Sequence, residues 1–155
     1  DRQIVDPFCQ LADRLARHPR DYTDRTDCLF SHIDVIARTA EKKGWPAFIS
    51  IIEQLIQFPE ISTEQVTDGL EFDINPVRER LAMLKLLLGR ALAHCGAESG
   101  YLALASLTSD KRSAIAKSAA DALGRLTGQW QGLNEKAWTA VISALPRPFA
   151  LHSNL

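Results

Sequence analysis

An all-α fold is predicted, and three observations predict it. Apolar residues recur at spacings of three and four along most of the chain, which puts them on one face of a helix. Helix start and stop signals are dense. Asp6-Pro7 and Asn75-Pro76 each offer an N-cap followed by proline, and Gly44, Gly69, Gly96 and Gly128 fall where helices should end. Strand signals are poor: β-branched residues rarely alternate with polar ones, and no Asn-Gly or Asp-Gly hairpin turn occurs.

Each element can be justified in chain order. Behind Asp6-Pro7, the residues Phe8, Leu11 and Leu15 form a first stripe. Leu29, Ile33, Ile36 and Ala40 form a second. Trp45-Pro46 opens a third helix carrying Phe48, Ile52, Leu55 and Ile56. Ser62-Thr63-Glu64-Gln65 is a capping box, and Ile61 with Val66 stands where a hydrophobic staple would, so a short helix through Leu70 is expected. The longest helix follows Asn75-Pro76, with Val77, Leu81, Leu84, Leu88, Ala91 and Cys95 along one face. A short helix over residues 100–107 comes next. Ile115, Ala119, Ala122 and Leu126 mark another, and Trp138, Val141, Ile142 and Leu145 the last, which Pro146-Arg147-Pro148 stops. The reading is about eight helices joined by short turns. Residues 1–145 are expected to form a single helical domain and 146–155 a loose C-terminal tail.

Composition narrows the function classes. The chain has 155 residues, 18 Lys+Arg against 19 Asp+Glu, a net charge of −1 and 46% hydrophobic residues. Such a chain can bury a core, which excludes a disordered acidic or basic tail. No apolar run approaches the roughly 18 residues of a membrane span, so no membrane partner is expected. A pI near 6.5 lacks the strongly basic footprint that nucleic acid selects. The neutrality is a cancellation. Residues 44–77 contain six carboxylates and no Lys or Arg, whereas residues 78–147 hold ten basic and five acidic residues. Either segment could be a binding face or an ordinary solvated surface. Cys9, Cys28 and Cys95 are odd in number and irregular in spacing, which suits a reducing compartment, the cytoplasm, rather than a disulfide framework. The chain opens on Asp1 and its one methionine is Met83, so an excised domain of a larger protein is expected.

Residues 99–127 carry a more specific pattern. A short Ala/Leu-rich helix leads into the polar turn Thr108-Ser109-Asp110-Lys111. A second helix has Ile115 five residues after Asp110, then Ala119-Ala120, and ends Ala122-Leu123-Gly124 before Leu126. This segment resembles one HEAT repeat, an armadillo-type helical hairpin. The alanines let adjacent helices approach closely, and a turn aspartate can accept amides at a helix start. The arginine that the family usually carries directly after the apolar residue matched by Ile115 is Ala116 here. Pro76-Val77-Arg78 with Leu81-Ala82 and Leu84 is a fainter echo. The resemblance implies stacked helical hairpins, a fragment of an α-solenoid, with an irregular helical bundle as the alternative. It also implies a scaffold that presents helix faces to a partner.

Catalytic and metal constellations are weak. Asp24, Cys28 and His32, spaced by four, would share a helix face, but no CxxC or HxxxH supports a metal site. His94-Cys95 are adjacent on a helix and point apart, and His94 reads as a C-terminal histidine favoured by the helix dipole. Gly124-Arg125-Leu126-Thr127-Gly128 lacks the lysine of a phosphate loop. No cofactor, metal or catalytic residue is therefore assigned. The expected function is a non-catalytic protein-protein interaction or scaffold module, binding another protein or another domain of the same polypeptide. Nucleic-acid binding is the first alternative and a small-ligand or metal-dependent enzyme domain using Cys28 and His32 the second. The candidate partner-binding residues are Arg78, Lys85, Lys117, Arg125 and Trp130. Trp130, in a glycine-flanked loop, is either a lid over the core or an exposed anchor. Trp138, on an apolar stripe, is read as core.

Overall fold

The computed structural model describes residues 26–57 and 76–152, and within them the side chains of residues 31–57 and 82–152. These residues form six α-helices: α1 (Thr26–Lys43), α2 (Ile49–Ile56), α3 (Pro76–His94), α4 (Glu98–Leu107), α5 (Ser113–Thr127) and α6 (Glu135–Ala144). No strand occurs among the described residues. The expected count of eight is not reached there, because the helices read around residues 8–15 and 62–70 lie outside them.

The stop and start signals act locally as expected. Gly44, Gly96 and Gly128 take positive φ at the ends of α1, α3 and α5. Pro46 begins a single 3-10 turn, Pro46–Phe48, that feeds α2. Asn134 caps α6, its side chain accepting the Ala137 amide at 3.1 Å.

The sequence pattern suggests one apolar face for α3, and the structure corrects this to two. Leu84, Leu87, Leu88, Ala91 and Leu92 pack with α1 and α2 through Ile33, Ile36, Ile52 and Leu55. Ala82, Leu86 and Ala93 turn the other way, into a cluster with Tyr101, Leu104, Ala119, Leu123 and Trp138. A helix that is apolar all round must be buried on several sides. So α3 is the wall shared by both halves of the core. It packs against α1, α2, α4 and α5, while α4 also packs against α5 and α6. Each buried leucine or isoleucine in this arrangement contributes about 1.5–3 kcal/mol.

The closest helix approach lies between α3 and α4 at Gly100. A Cβ there would stand 2.2 Å from the Ala93 nitrogen and 2.7 Å from the Gly89 carbonyl oxygen, so the two backbones meet directly.

The tail is a second correction. The segment 146–152 is not loose but lies against the helices. Phe149 is buried and stacks on Tyr101 at 4.8 Å. The Arg147 guanidinium sits 4.0 Å above the Phe149 ring and 2.9 Å from the Glu98 carboxylate. The His152 amide donates to the His94 carbonyl at 2.9 Å. Proline ends α6, but Phe149, four residues after Leu145, still finds apolar surface, and that burial offsets the entropy of ordering. Residues 153–155 lie outside the described residues.

Candidate functional site

The hairpin from α4 to α5 is held by its turn. Asp110 accepts the Arg112 amide at 2.8 Å and the Arg112 side chain at 2.9 Å through Nε and 2.8 Å through Nη2. Arg112, as N-cap of α5, is thus locked to the turn aspartate. Burial alone would raise the Asp110 pKa. The Arg112 hydrogen bonds, with the charges of Arg112 and Lys85, outweigh burial and hold it below 3.8. A depressed carboxylate stabilises the fold above its unfolded pKa and loses that contribution as pH falls through 3.8 towards the lower folded value. Asp110→Ala is expected to cost about 1–3 kcal/mol near neutral pH. Urea midpoints followed into acid check it, since the gap to the parent should close below that window.

Beyond α5 the chain turns at Gly128 and exposes Trp130. This side chain is 61% exposed, and Leu133 in the same loop is 57% exposed. The Trp130 ring lies over Gly124, its Cε3 3.2 Å from where a Cβ would stand. Glycine at 124 thereby gives the indole a flat seat on α5. Arg125 is exposed and lines the same depression, together with Asp121, Gly128 and Gln129. Lys117 is exposed two turns further back on α5, with Asp121 between it and Arg125 at helical i, i+4 spacing. By contrast Trp138 is fully buried and donates its indole N–H to the Gly132 carbonyl at 2.8 Å.

The candidate binding residues therefore separate. Arg125 and Trp130 share one depression, and Lys117 lies on the same helix. Lys85 lines a different groove, between α2 and α4, with Glu53, Gln54, Ser99 and Leu102. The Arg78 side chain lies outside the described residues. So do Asp24 and the Cys28 side chain, while His32 is exposed on α1. Among the described residues, no group of three His, Cys, Asp or Glu side chains could hold a metal ion.

A buried polar cluster escaped sequence reasoning. Glu41 on α1 is only 7% exposed and hydrogen-bonds Arg90 of α3. His94 Nε2 stands 3.8 Å from the same carboxylate. The His152 ring faces the His94 ring at a centroid distance of 5.7 Å. His94 does stand in the last turn of α3, as the sequence suggested, but it is packed into this cluster. Burial is the strongest influence on it and lowers its pKa below 6.5. The Glu41 carboxylate opposes this, and His152 and Arg90 reinforce it. Glu41 and Arg90 are 49 residues apart, so no local spacing could have announced them.

Cys95 is a buried thiol that donates to the Ala40 carbonyl at 3.6 Å, and burial pushes its pKa up to about 12, far from nucleophilic. No helix of the described residues is long and apolar enough to cross a membrane. Comparison with known proteins finds no matching family model, no matching curated protein and no matching solved structure.

Proposed function

We propose that this chain is a non-catalytic protein-binding module built of stacked helical hairpins of the HEAT kind. Its partner, another protein or another domain of the same polypeptide, docks on the face made by Trp130, Leu133 and Arg125. The observation that carries the reading is a tryptophan seated on Gly124 yet 61% exposed to water. Tryptophan and arginine are the residue types that most often dominate interface energetics, and a pre-seated ring loses little entropy on docking.

Two features support the stacked arrangement. Among the described helices the principal contacts run to the next or the next but one: α2 with α3, α3 with α4, α4 with α5, and also α1 with α3, α3 with α5 and α4 with α6. Contacts of such short range in helix order are the kind from which hairpin stacks build a core. Ala116, Ala119 and Ala120 are buried in α5, the close-packing role that the repeat resemblance assigns to small residues.

The row Lys117, Asp121, Arg125 alternates in sign, which suits a protein surface better than a phosphate backbone. Trp130→Ala is expected to leave thermal unfolding nearly unchanged, within about 0.5–1 kcal/mol. Capture of the partner that co-purifies with the tagged parent chain should weaken by about thirtyfold, as for a hot-spot residue. Binding to duplex DNA or single-stranded RNA that weakens with salt, with no protein partner recovered, would overturn the reading.

A further inference from the structure

We propose that the segment 146–152 is a latch that opens in mild acid, with His94 as its proton acceptor. This inference stands on the buried cluster and shares only Arg125 with the Trp130 face.

The latch is seated across the C-terminal ends of α1 and α3. The His152 amide donates to the His94 carbonyl at 2.9 Å. Its own carbonyl oxygen presses on Gly44, where a Cβ would come within 2.1 Å of it. Only glycine permits that approach, and it does so with φ at +62°. The seat therefore requires His152 at the junction of two helix ends.

The imidazoles meet across this seat. Their rings are 5.7 Å apart and inclined by 60°. His94 Nδ1 and His152 Nε2 are both buried from water and have no hydrogen-bond partner among the described residues. In a neutral imidazole one ring nitrogen is a bare lone pair, which tolerates this confinement. A protonated imidazole carries an N–H on both nitrogens. Acid would thus place a charge on the His94 ring, in a site whose burial disfavours the charged form.

The surrounding charges reinforce the effect. Arg90 faces the pair from α3, Glu41 from α1, and Arg125 of α5 lines the same cavity of about 400 Å³. Glu41 is the carboxylate lining that cavity among the described residues, and Arg90 already holds it. A proton added to His94 would leave three cations, with Arg90 and Arg125, around one anion. Glu41 and, more weakly, a hydrogen bond to the His152 backbone draw a proton towards His94, but burial outweighs them and the His94 pKa lies below 6.5. The sign follows: docking is fully favourable above 6.5 and weakens as pH falls through the window below it. Phe149, stacked on Tyr101, changes no charge in this range, so opening starts at the His152 end.

The test is residue-resolved amide exchange by NMR on the full 155-residue chain. Protection of the His152 amide, corrected for intrinsic exchange, is compared at about pH 7.5 and about pH 5.5. It should fall severalfold in acid, with about tenfold as the ceiling for one histidine, while the Leu104 amide in α4 keeps its protection. H94Q, which cannot gain the charge, should lose this pH dependence. H94F, an uncharged ring, decides the matter if H94Q disturbs the latch at neutral pH. Equal His152 protection at both pH values overturns the proposal. So does simultaneous loss at Leu104, which would mean global acid unfolding, or a pH dependence that survives in H94Q.

Discussion

Gly100→Ala should destabilise the protein by about 3 kcal/mol, the upper part of the range for overpacking a close contact. The added methyl would stand 2.2 Å from the Ala93 nitrogen and 2.6 Å from the Leu92 Cβ. Neither atom can retreat without moving α3, the wall of both core clusters. Gly89→Ala is the matched control in the same helix pair. Its Cβ would meet Ala103 and Leu104 at 3.5 Å, ordinary van der Waals contact. Alanine is also the better helix former by about 0.8–1 kcal/mol, so Gly89→Ala should leave stability unchanged or raise it by up to about 1 kcal/mol. Urea unfolding of the two variants measures the contrast. Equal losses would mean that backbone proximity at Gly100 is not what holds α4 to α3.

Trp138→Ala should cost about 3–5 kcal/mol. This is the largest fully buried side chain among the described residues, and it fills the cluster where α4, α5 and α6 converge. Truncation opens a cavity and also leaves the Gly132 carbonyl without its indole donor. Trp138→Phe separates the two contributions. It keeps much of the ring volume and loses the hydrogen bond, so a loss nearer about 1–2 kcal/mol is expected. Thermal or urea unfolding of both variants tests the division. Trp130→Ala provides the contrast on the same loop, since its ring rests on the surface instead of inside it.

Helices were legible because their signals are local. The stripe Ile33, Ile36, Ala40 and the pair Trp138, Ile142 are buried as their spacing implied. Gly44, Gly96 and Gly128 end helices because a left-handed residue is needed at the next step and glycine takes it without strain. The Asp110 turn was legible for the same reason: it accepts the Arg112 amide at the start of α5, and the Arg112 guanidinium adds two further bonds. The binding face was legible in part. Arg125 and Trp130 are five residues apart in sequence and meet in one depression, whereas Lys85 belongs to another groove. Whether Trp130 was a lid or an anchor depended on what lies above its outer face, which no neighbour in sequence specifies.

The sequence by itself determined that this is an all-α chain, where most of the described helices begin and end, and which residues on each are apolar. Those properties follow from backbone conformation and 3.6-residue periodicity, which act over one or two turns. Tertiary structure alone decided that α3 buries two faces. It also decided that α4 closes on α3 at Gly100, and that the segment after α6 returns to bring His152 against His94 and Gly44. Those outcomes join residues about 7 to more than 100 positions apart along the chain. They depend on shape complementarity and on the desolvation of polar groups, which exist only once the helices have packed.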